Sequence, residues 1–134
     1  MVNSVKKEKS VKQEELVLLT INELKEKLGV NKFVLISVSK SIKTNKDLYE
    51  NTRKYWKVNI DKISQAELVI AENRGKLIGA FKPTKWMIVS AEENPLLAGR
   101  VYFEGEPVAL VLDNIQNIRV IREKGNAAPV RYSW

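Results

Sequence analysis

The sequence predicts one small α+β domain, with two helical patterns in its first half and a series of strand-like segments after them. Three observations carry this prediction. Apolar residues recur at helical spacing between Gln13 and Leu28. Lys32–Ser39 and several later segments are rich in β-branched and aromatic residues. The 134 residues, 44% of them hydrophobic, fit a single domain that buries about two-thirds of its unfolded-chain surface.

Met1–Lys12 carries Lys6, Lys7, Lys9 and Lys12 against Glu8 and reads as a disordered basic tail, so residues 13–134 form the expected domain. The tail is either a solvated terminus or an arm that adds phosphate affinity. Gln13–Leu28 is the expected N-terminal helix, with Leu16, Leu24 and Leu28 on its apolar stripe and Gly29 as C-cap. Its nearly continuous apolar stretch, Leu16–Leu19, also makes it a candidate homodimer contact.

Lys32–Ser39 reads as a buried strand and Ser41–Asn45 as a polar loop. Thr44 stands three residues before Asp47, a start like a capping box for a second helix over Asn45–Lys57. Glu67–Asn73 and Lys76–Phe81 are expected to form the main hairpin around Asn73-Arg74-Gly75, where glycine suits a positive φ. Pro83 is expected to interrupt or end its second strand. Lys85–Ser90 reads as a strand or a short helix and Glu92–Gly99 as a loop. Arg100–Glu104, Pro107–Asp113, Arg119–Arg122 and Val130–Tyr132 complete the strand candidates, and no internal repeat is present.

Composition narrows the chemistry. With no cysteine and no histidine, the chain has no disulfide framework, no zinc site of the usual Cys/His type, no Cys nucleophile and no His base. No metal or other cofactor is expected, and an enzyme is the last of the readings, requiring carboxylates, Lys or Tyr for its chemistry. No segment approaches the roughly 20 apolar residues of a membrane span, and the polar start lacks a secretory pattern. A cytoplasmic protein without a membrane partner is expected. The 23 Lys+Arg against 16 Asp+Glu, net +7, favour a polyanionic partner.

The richest constellation is Asn51-Thr-Arg-Lys-Tyr-Trp-Lys57, two aromatics among three cations. Aromatic faces stack on bases, while cations beside them suit phosphate. On one helix, Arg53 and Lys57 would share a face. The plainer alternative makes Tyr55 and Trp56 core anchors and leaves the cationic heads in solvent. Asn73-Arg-Gly-Lys76 is either a phosphate contact or simply an exposed hairpin tip. Arg100, Tyr102 and Glu104 alternate along a strand and so share a sheet face, where Arg100 and Glu104 orient a ligand or pair with each other.

The ordered set Asn51–Trp56, Ala66–Ala71, Gly75–Phe81, Arg100–Gly105 and Asn126–Tyr132 resembles a widespread small bacterial and phage module, and over Lys32–Tyr132 it is similar to the PUA-like superfamily that includes the EVE, YTH and ASCH domains. That resemblance implies a small, twisted, mostly antiparallel β-barrel flanked by helices. It also implies a nucleic-acid reader of the kind that accepts a modified or flipped base in an aromatic pocket. Trp56 and Arg53 would stand nearest the pocket, with Tyr55, Asn51 and Lys57 beside them and Arg100 and Glu104 in secondary roles. Lys43, Lys46 and Lys54 would meet phosphates. The chain departs from the pattern at Lys54, where glycine is expected, and at Ala127-Ala128. A receptor for a free nucleotide and a protein-interaction domain are the alternatives.

Overall fold

A computed structural model describes residues 16–39, 47–123, 125 and 127–134. Its elements run β1 (Val17–Leu19), α1 (Ile21–Leu28), β2 (Phe33–Ser37), α2 (Leu48–Arg53), α3 (Ile60–Ile63), β3 (Leu68–Asn73), β4 (Lys76–Ile88), β5 (Val101–Pro107), a 3-10 turn (Ile115–Asn117), β6 (Ile118–Val120) and β7 (Val130–Tyr132). The α+β class holds. All seven strands belong to one mixed sheet of order β1-β6-β4-β3-β2-β7, with β5 on the far half of β4. Two pairings are parallel, β1 with β6 and β2 with β3; the other four are antiparallel.

Strands β2 and β3 are apolar on both sides because both faces of the sheet are covered. The period of two divides their residues. Val34, Ile36, Val69 and Ala71 face a core completed by Ile63, Phe81, Val101 and Phe103. Phe33, Leu35, Leu68 and Ile70 face a second core with Leu19, Leu24, Leu77, Ile118 and Val120. The parallel register Phe33↔Leu68 through Ser37↔Glu72 keeps each set on its own side.

The expected closed barrel does not form. The path ends at β1 and β7, which do not pair, and β1, β6 and β7 are only three residues each. The sheet nevertheless curls. In a flat sheet four strand spacings, about 19 Å, would separate β6 from β7. Instead Arg131 Nη1 on β7 donates to the Ile121 carbonyl just beyond β6 at 3.0 Å. Side chains, not a backbone ladder, bridge the seam.

Several local expectations are corrected. The N-terminal helix starts at Ile21, not Gln13, because Thr20 and Glu23 form a reciprocal capping box: Glu23 N–H donates to Thr20 Oγ1 at 3.1 Å and Thr20 N–H donates to Glu23 Oε1 at 2.8 Å. Val17–Leu19 is strand instead, pairing in parallel with Ile118–Val120. The exposed Leu16 and Leu18 therefore lie at a sheet edge rather than on a helix. The start proposed at Thr44 lies outside the described residues; within them Asp47 caps α2, accepting from Glu50 N–H at 3.3 Å.

Helix α2 ends at Arg53, since Lys54 is fully extended, so Arg53 and Lys57 do not share a helix face. Pro83 does not end β4. The strand runs on to Ile88, absorbing Lys85–Ile88, with a register shift against β5 between Pro83 and Lys85. Opposite Pro83 the N–H of Gly105 donates to Tyr49 Oη at 3.0 Å, and a Cβ at Gly105 would collide with the Lys82 carbonyl. The strand expected over Pro107–Asp113 is absent, because β5 stops at Pro107. No helix among the described residues is long and apolar enough to cross a membrane.

Candidate functional site

Where α2 gives way to extended chain, Trp56 forms a two-way backbone bridge to Val101, with N–H···O distances of 2.9 and 2.8 Å. The bridge places Tyr55, Trp56 and Lys57 beside β5, whose entry residue is Arg100. The indole N–H of Trp56 donates to the Thr52 carbonyl at 2.8 Å, so the ring is oriented by its own helix. Its body packs against the first core, and the side chain remains partly exposed.

Tyr55, Trp56, Lys57, Val58, Arg100 and Tyr132, with residues 128–130, line a cavity of about 420 Å³. Three of these side chains are aromatic and two are cationic. A second cleft of about 590 Å³ runs alongside, bounded by Asn59, Leu96, Ala98 and Gly99 and sharing Lys57, Val58 and Arg100 with the first. The two cations thus stand between an aromatic cavity and an open groove. Arg100 Nη1 lies 3.5 Å from the Tyr55 carbonyl, and Lys57 is exposed. Tyr55 meets Tyr102 edge-on at 5.6 Å between centroids. Tyr132 is fixed by Trp134 at 5.2 Å and by Lys62 Nζ 4.4 Å over its ring, and burial holds its hydroxyl above the ordinary pKa.

The other expected site residues have different places. Arg53 is a structural clamp. Its Nε donates to the Phe103 carbonyl at 2.9 Å, its guanidinium lies over the rings of Tyr49 and Tyr102 at 5.4 and 5.5 Å, and Glu50 sits 3.4 Å from Nη1. Lys54 pairs with Glu50 at 2.7 Å. Their hydrogen bond lowers the Glu50 pKa and raises that of Lys54. Asn51 is buried within α2. Glu104 is exposed beside Lys85 in the β4–β5 ladder, and among the described residues it forms no ion pair with Arg100. Lys43 and Lys46 lie outside the described residues.

Sequence reasoning missed Tyr132, Val58 and the residue 128–130 wall, because they reach the cavity only through β7 pairing with β2. The alternation Val130-Arg131-Tyr132 was the available signal: it sets Tyr132 and Val130 on the side of the first core and Arg131 on the other.

Fold and site together define an α+β domain with a cation-flanked aromatic cavity. Compared with family models, curated proteins and solved structures, the chain matches none.

Proposed function

We propose that this protein is a non-catalytic module that binds nucleic acid by taking an unpaired or extruded base into the Tyr55/Trp56/Tyr132 cavity. The observation that carries this reading is the pairing of three aromatic walls with Lys57 and Arg100, which border the adjoining groove. A volume of about 420 Å³ falls within the range of roughly 300–1,000 Å³ for ligand sites. Each base–aromatic stack supplies about 1–3 kcal/mol. The groove suits a sugar–phosphate backbone held by the two cations, and the net charge of +7 favours its approach. Extruding a base from a duplex costs a few kcal/mol, so single-stranded, damaged or modified targets are preferred. The likeness of the motif order to the PUA-like superfamily supports the same reading.

Titration of single-stranded oligonucleotides against Trp fluorescence tests it. Affinity is expected to fall steeply between about 50 and 300 mM salt. Tyr55→Ala should weaken binding about 5–150-fold, the equivalent of one lost stack. Arg100→Gln should reduce the salt slope by about 0.7. Salt-independent affinity, or wild-type binding by both variants, would overturn the proposal. A free nucleotide that raises Tm at micromolar concentration, with no further gain from an oligonucleotide, would make the cavity a small-molecule receptor instead.

A further inference from the structure

On the opposite face of the sheet from the aromatic cavity, the carboxyl ends of the parallel strands β2 and β3 open into a separate cavity of about 370 Å³. Ser37, Ser39, Glu72, Arg74, Arg122 and Arg131 supply its polar lining. Strand alternation explains the gathering. Ser37 and Glu72 continue the Leu35 and Ile70 side of their strands, and Arg131 stands opposite Leu35 in the register of β7. Polar groups replace the second core at this end of the sheet. Glu72, 1% exposed, accepts from Gly75 N–H at 2.7 Å, from Arg122 Nη2 at 3.2 Å and from Arg131 Nη2 at 3.4 Å.

Two guanidiniums thus pair with one carboxylate, and a third, that of Arg74, lines the same cavity. The side chain of Arg131 is 4% exposed and its Nε–H has no hydrogen-bond partner among the described residues. Burial, and then the neighbouring Arg122, lower its pKa, so its charge is held at a cost. Arg74, exposed on the hairpin turn, forms no ion pair among the described residues. Ser37 and Ser39 hydroxyls lie 3.3 Å apart and offer further donors. Guanidiniums and hydroxyls converging in a cavity are the donor set that phosphate oxygens require.

We infer that this cavity is a second ligand site, for a phosphate-type oxyanion, with Arg74, Arg122 and the Ser37 and Ser39 hydroxyls as contacts and Glu72 and Arg131 as the buried pair that positions them. It does not depend on the aromatic cavity.

Thermal unfolding in inorganic phosphate, against sodium chloride at equal ionic strength, tests the site. Phosphate is expected to raise Tm by several degrees once it exceeds its Kd about tenfold. Arg74→Asn keeps a residue that tolerates the positive φ of this turn. That variant and Ser39→Ala should each weaken phosphate binding about tenfold, whereas Lys27→Gln, an equal loss of charge on the exposed side of α1, should leave it unchanged. Equal Tm in phosphate and chloride, or wild-type responses from Arg74→Asn and Ser39→Ala, would sink the inference. Where phosphate binds, displacement by a 5′-phosphorylated oligonucleotide and not by its unphosphorylated form marks a strand end as the source. Absence of displacement marks a small phosphate ester.

Discussion

Arg53 shows how a residue of apparent ligand-binding type is consumed by the fold. Its planar cation satisfies the Phe103 carbonyl and lies over two tyrosines, Tyr49 on α2 and Tyr102 on β5. A charged hydrogen bond contributes about 1.5–3 kcal/mol and each partly desolvated cation–π contact about 0.5–2 kcal/mol. Arg53→Ala is therefore expected to lower unfolding stability by about 2–4 kcal/mol in urea titrations. Arg53→Lys should recover less than half, since an ammonium offers neither the Nε donor in that plane nor a flat face. From sequence, Arg53 and Arg100 look equivalent: each is a cation two residues from a tyrosine. Only the return of β5 alongside α2 shows that one is clamped and the other borders the groove.

Helix α2 and the β3–β4 hairpin each rest on a short-range device with a measurable signature. In α2, Glu50 is depressed below its ordinary carboxylate value of 4.5 by the hydrogen bond with Lys54. Its contribution is thus complete above that value and is lost as pH falls through the lower folded pKa. Lys54 is raised above 10.5 by the same bond, so its share is present below 10.5 and is lost as pH rises through the higher value. Both side chains are about a third exposed, which limits the total to under about 1 kcal/mol. Glu50→Gln should flatten the acid limb of a stability–pH curve below 4.5 without changing the neutral plateau by more than that. In the hairpin, Gly75 has φ +88°, and an added Cβ would lie 3.0 Å from the Val120 carbonyl oxygen. Gly75→Ala should cost more than about 1 kcal/mol, read as a drop in Tm.

Across the molecule, the central sheet was readable because its signals are local. Phe33–Ile36 and Leu68–Ala71 are unbroken apolar runs that read as buried strands, and Asn73-Arg74-Gly75 announces the turn after the second of them. The edges were not readable. Val-Leu-Leu at 17–19 fits a helix or a strand equally well, and only the parallel ladder with Ile118–Val120, a hundred residues away, decides for the strand. A separation of 59 residues likewise hides the Glu72–Arg131 pair. A glutamate ending the apolar run Leu68–Ala71 is its one local sign in the sequence. Removing the carboxylate leaves Arg131 buried without its counter-charge, so Glu72→Ala should cost about 3–5 kcal/mol. A second change, Arg131→Met, should restore part of that loss, and hydrogen exchange along β7 should track both.

The long reach of the sheet's outer pairings also sets a clock. Val17 meets Ile118, and Phe33 N–H donates to Ser133 Oγ across one hundred residues. Closing such loops consumes chain entropy before any contact repays it, and topologies dominated by distant pairings fold in milliseconds to seconds rather than microseconds. The hairpin β3–β4 can form early from neighbouring residues, while β1 and β7 must wait for the opposite end of the chain. Stopped-flow refolding should therefore be slow for so small a domain. Substitutions in β7 should chiefly hasten unfolding, and those in β3 should slow refolding.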